Sequence, residues 1–138
     1  MSNPGPASTV SVGLQNVSYN QGIVLLGSAK GVNLNDVSDN IIQVIGSDKY
    51  SVLYCMVGNA STSLTTADAG LYTGPGATGL TVVTAAALSA ITANADVLQM
   101  TIALTDMLTG PDLYFRCTTA QGAAATADVW IYGFNMDL

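Results

Sequence analysis

The chain has 138 residues, a mass of 14.1 kDa and a formal net charge of −6, from three Lys+Arg against nine Asp+Glu, with no histidine. An acidic chain repels phosphate backbones and anionic lipid surfaces, so neither nucleic acid nor membrane is an expected partner. Charged residues make up only 9% of the sequence, against roughly 25% in an average soluble domain, and a surface this poor in charge suits a protein covered by neighbours in an assembly.

Residues 1–8 open with Met1-Ser-Asn-Pro-Gly-Pro, which cannot start a regular element and carries neither the basic nor the apolar segment of a signal peptide. They read as a flexible arm preceding one domain, 9–138. Residues 9–14 alternate as a strand. Residues 22–27 enclose the apolar run Ile-Val-Leu-Leu, and 30–40, with Asp36 and Asp39, read as a polar loop. Residues 41–45 and 51–57 are two strong strands flanking Gly46-Ser-Asp-Lys, a hairpin signal.

Residues 59–69 are rich in Ser, Thr and small residues and read as a loop, followed by a short strand at 70–73 and the turn cluster Gly74-Pro-Gly-Ala-Thr-Gly. Residues 80–84 are a β-branched strand, and 85–91 (Ala-Ala-Ala-Leu-Ser-Ala-Ile) is the one segment composed like a short helix. Residues 97–104 alternate, with Leu98, Met100, Ile102 and Leu104 on one face. Two aromatic strands, 112–118 and 128–134, close the chain. No stretch reaches the about 18 or more apolar residues of a membrane helix. About eight short antiparallel strands with at most one helix, near 85–91, predict an all-β fold, a β-sandwich or jelly roll.

The chemistry-bearing residues point away from catalysis. Without histidine there is no Ser-His-Asp or Cys-His arrangement and no ordinary zinc site. No carboxylate spacing singles out an acid–base pair. Asp36-Val-Ser-Asp39-Asn40 groups oxygen ligands as calcium loops do, but lacks the EF-hand spacing, and solvated turn residues are the expectation. Gly74-Pro-Gly76-Ala-Thr-Gly79 has the letters of a dinucleotide loop but precedes a strand-like run, so it reads as a turn. No enzyme activity, metal or cofactor is expected.

Cys55 and Cys117 are expected as buried free thiols, a cross-strand disulfide being the alternative. Arg116, alone among few charges, is expected to pair with an Asp within the chain or across an interface. Trp130, Tyr132 and Phe134 share one face of the last strand. Half a sandwich core is the first expectation for them, a subunit interface or a sugar-stacking platform the alternatives.

Three segments carry a resemblance: Ala69-Gly-Leu-Tyr-Thr-Gly-Pro-Gly-Ala-Thr-Gly, Ala85-Ala-Ala-Leu-Ser-Ala-Ile-Thr, and Leu113-Tyr-Phe-Arg-Cys-Thr-Thr-Ala-Gln-Gly-Ala-Ala-Ala-Thr-Ala-Asp-Val-Trp-Ile-Tyr-Gly. Over residues 69–133 the chain resembles head-decoration, or cement, proteins of tailed bacteriophages. The resemblance implies a sandwich subunit on the outer capsid surface, made in the host cytoplasm, that forms dimers or trimers and bridges neighbouring major capsid proteins. It also implies a role for the arm (Ser2, Asn3, Pro4, Gly5, Pro6) as a capsid contact. The alternatives are a head-fibre base, a tail component, or a carbohydrate-binding β-sandwich module.

Overall fold

The computed structural model describes residues 22–45 and 48–136. The proposed arm residues Ser2 to Pro6 and the strand expected at 9–14 lie outside the described residues. The described chain folds into β1 (Val24–Asn33), β2 (Asp39–Gln43), β3 (Lys49–Gly58), β4 (Asp68–Gly74), a 3-10 turn (Pro75–Ala77), β5 (Thr78–Ala87), β6 (Val97–Met100), β7 (Leu108–Thr109), β8 (Asp112–Thr119) and β9 (Thr126–Asn135). Two antiparallel sheets result, one ordered β1-β9-β3-β6 with β7 beside β3, the other β2-β8-β4-β5. With the two-residue β7 set aside, this is the strand order of a jelly roll: successive strands cross between the layers, except for the β4–β5 hairpin.

Period-two alternation builds the core. In β8, Leu113, Phe115 and Cys117 are buried, while Tyr114, Arg116 and Thr118 lie on the other face. In β9, Ala127, Val129 and Ile131 point inward. They meet Tyr50, Val52, Cys55 and Val57 of β3 and Leu71 of β4 in one continuous apolar cluster. Each fully buried Leu, Ile, Val or Phe contributes about 1.5–3 kcal/mol by leaving water. Both cysteines are buried and free, one in each sheet.

The pairing or extent of four segments differs from what local pattern suggests. Residues 41–45 and 51–57 do not form a hairpin, because β2 pairs with β8 and β3 with β9, in opposite layers. Long-range partners, which let β2 bury Ile42 and β3 bury its inward residues, outweigh the local turn signal. Residues 30–33 continue β1 rather than looping, and Asp39 and Asn40 begin β2. Residues 85–91 are not helical: 85–87 complete β5, paired with β4 through Ala86 and Ala87, and Leu88 is buried. Alanine's helix propensity is weak beside a sheet partner and an inward Leu. Finally, β6 stops at Met100, although Met100 is buried and Leu98, Ile102 and Leu104 are half-buried against the core, so the alternation outlasts the hydrogen-bonded ladder.

One side chain ties the loops at one end of the sandwich. Gln121 Oε1 accepts from the Thr66 and Ala67 N–H groups, both at 3.0 Å, while its Nε2 donates to Ser63 O at 3.3 Å and Thr65 Oγ1 at 3.0 Å. Residues 61–67 therefore keep one shape without a strand of their own.

Candidate interaction surface

The outward face of the β1-β9-β3-β6 sheet carries the aromatic stripe. Because Val129, Ile131 and Gly133 of β9 turn inward, Trp130, Tyr132 and Phe134 turn out. Trp130 and Tyr132 are half-buried and Phe134 is exposed. The assignment of this stripe to the core is thereby corrected: the inward positions of β9 are taken by small and branched residues.

Strand register arranges the face in rows. Leu25, Tyr132 and Tyr54 lie side by side across β1, β9 and β3, and Ser28, Trp130, Met56 and Gln99 form the next row. Phe134 beside Ser51, and Asp128 beside Gly58 and Val97, flank them. Leu25 is 46% exposed, Phe134 44% and Val97 60%, so several large apolar groups stand uncovered.

The Asp128 row is a built polar knot. Register slips in β1 between Ala29 and Val32, where Gly31 has φ +64, the left-handed geometry that glycine takes at bulges. The Gly31 N–H freed by the bulge donates to Asp128 Oδ1 at 2.8 Å. Asn59, itself left-handed at φ 50, donates Nδ2 to Asp128 Oδ2 at 2.9 Å, and Asn94 Nδ2 donates to Asn59 Oδ1 at 2.9 Å and to Ala60 O at 3.1 Å. Lys30 Nζ stands 3.8 Å from Asp128 Oδ2 and 4.2 Å from the centre of the Trp130 ring. The ammonium thus takes one face of the indole, a cation–π contact.

The Asn59 amide, then the Gly31 N–H, hold the Asp128 carboxyl below its ordinary range; partial desolvation opposes them and the Lys30 charge assists. A folded-state pKa below the unfolded value stabilises the fold above about pH 3.9, and that contribution disappears as pH falls through the folded pKa. Asp128→Asn is therefore expected to unfold at a lower urea midpoint than the parent at pH 7, and the gap should narrow towards pH 2. A gap unchanged between pH 7 and pH 2 would contradict this role of the charge. At the other end of the scale, burial pushes the Cys55 thiol up to about 12, so stability should decline above about pH 8.5, where unfolded chains ionise their thiols and the folded one does not.

The other sequence-derived candidates fall elsewhere. Arg116 Nη1 donates to Asp39 Oδ1 at 3.1 Å, so the expected intrachain pairing with an Asp is found, on the outer face of the second sheet. Asp39 Oδ2 accepts from the Gly76 N–H at 2.9 Å, which occupies the carboxylate considered for calcium and pins the glycine-rich turn between β4 and β5. Among the described residues no three His, Cys, Asp or Glu side chains group as a metal site. The sequence reading missed Lys30, which it placed in a loop, and the partners Leu25, Tyr54, Met56 and Asn59. Only the register of β1 and β3 against β9 collects them, although the exposed-aromatic signal of residues 130–134 was present.

No family model matches the chain, and the searches of curated proteins and of solved structures returned no match.

Proposed function

We propose that this protein is a non-enzymatic building part of a virion, binding the outer surface of a tailed-phage capsid and bridging neighbouring major capsid proteins to stabilise the shell. The observation that carries the reading is the uncovered aromatic face around Leu25, Tyr54, Trp130 and Tyr132, in a chain with 9% charged residues. Contiguous apolar surface of this kind marks protein contacts, and aromatic residues dominate the energetics of such contacts. The jelly-roll order of the strands agrees by fold-level analogy, since viral capsid domains use it, as do lectins. A protein that binds the assembled shell and not its dissociated subunits stabilises the shell by mass action, and several weak contacts per oligomer add through effective concentration.

The second reading, a carbohydrate-binding module, is favoured by the outward placement of the aromatic row. Against it, Lys30 occupies one face of the only tryptophan, where a sugar ring would stack. The deciding measurement is copy number in purified particles, with the 14.1 kDa band quantified against the major capsid protein. A ratio comparable to the shell protein is the expected result. A handful of copies would move the protein to a fibre base or the tail. Absence from particles, together with a change in tryptophan fluorescence on adding glycans, would replace the virion reading with the carbohydrate one.

A further inference from the structure

We infer that the aromatic face of the β1-β9-β3-β6 sheet is covered by the same face of a second copy of this chain, making a two-fold dimer. This rests on the reading of that face as an assembly contact of a virion part, and it names the partner at that face, which leaves contact with the shell to the other surfaces of the dimer.

Charge selects the partner. A molecule of net charge −6 repels its own kind, so two copies approach most readily through a surface that adds no negative charge of its own. Among the described residues, the rows from Phe134 to Asp128 and the adjoining bulge hold one cation and one anion, Lys30 and Asp128, and these face each other. Counted over whole strands, this sheet carries Lys30 and Lys49 against Asp128, whereas the second sheet carries Asp39, Asp68 and Asp112 against Arg116. A partner of different sequence is steered and registered by complementary charge, and the aromatic rows offer no uncompensated charge for it to read. A two-fold contact needs a surface that complements itself, and an apolar face whose Lys30 and Asp128 pair with each other does so.

Size agrees. Strands β1, β3 and β9 have ten residues each, hence a length of about 33 Å, and four strands span roughly 15–20 Å. The face therefore measures on the order of 600 Å² in projection, and more with its side-chain relief. A standard interface buries about 800 Å² per partner. Sheets also stack naturally face to face, about 10 Å apart, with interdigitating side chains.

The test is the sedimenting mass of the full chain, with Leu25→Glu and Tyr54→Glu as variants. Both positions are exposed, at 46% and 37%, so a charge there is tolerated by the isolated fold. The parent is expected to sediment at twice 14.1 kDa at micromolar concentration. Each variant should weaken the dimer by more than about 30-fold, with circular dichroism and thermal midpoint unchanged. The emission of the one tryptophan, Trp130, should shift to the red as the dimer dissociates.

A parent that stays monomeric at 100 µM (on the order of ten times a weak-dimer constant) would overturn the inference, as would variants that stay dimeric. A monomer whose Trp130 emission shifts only when residues 1–21 are deleted would overturn it too, in favour of the chain's own N-terminal segment as the cover. Capsid binding measured on the same variants separates the two proposals. Monomeric variants that still decorate shells would leave the virion reading intact, and dimers that never bind shells would sink that reading alone.

Discussion

Phe115→Ala is expected to lower the free energy of unfolding by about 3–5 kcal/mol, and the thermal midpoint by on the order of 10–20 °C. Phe115 is fully buried in β8, the strand that joins β2 to β4, paired with Asn40 on one side and Leu71 on the other. It belongs to an apolar cluster drawn from both layers, with Leu71 and Leu113 of its own sheet and the inward residues of β3 and β9. Removing the ring takes away its transfer energy and leaves a hole that two sheets, each held by its ladder, cannot close. Tyr114→Ala, one residue along on the outer face of the same strand, should cost clearly less. Chemical denaturation of both variants checks this, and equal losses would mean that β8 does not face the core as described.

The second large effect is expected from the smallest possible change. Gly133→Ala should destabilise by about 3 kcal/mol or more, although Gly133 sits in a regular strand with no special dihedral. A Cβ built there would lie 1.9 Å from the Ser51 carbonyl oxygen and 2.9 Å from Leu26 Cδ1. The first of these is backbone and cannot swing away. The cause is the irregularity in β3, where the pairing with β9 slips between Val52 and Tyr54 and carries the β3 backbone across the inward face of Gly133. To admit a methyl group, β3 and β9 must separate in the middle of their sheet. Urea unfolding and amide exchange of the β3 and β9 residues read the result. A stability within about 0.5 kcal/mol of the parent would mean that the slip relaxes easily.

The same slip shows where pattern reading stopped. Taken as an unbroken strand, 51–57 would place residues 51, 53, 55 and 57 on one face. The apolar core set is instead Tyr50, Val52, Cys55 and Val57, because the extra residue at Leu53 resets the alternation, while Ser51 is buried as a polar residue whose hydroxyl donates to Thr105 O. Nothing local to Val-Leu-Tyr specifies that; the partner strand does. The β1 bulge at Lys30-Gly31 acts likewise, turning an apparent polar loop into a strand whose freed N–H reaches Asp128.

Composition and period-two alternation alone determined that this chain is an antiparallel β protein with layered strands, since inward Leu113, Phe115 and Cys117 can be read off the sequence without any partner. Only the tertiary structure decided which strands pair, which way the Trp130 row faces, and that Leu25, Tyr54 and Met56 join it. The physical reason is that alternation fixes two faces for a strand but does not say which is inside. When both faces of β9 are apolar, the choice falls to packing: the layer between the sheets takes the small and branched Val129, Ile131 and Gly133, and the large rings are left outside.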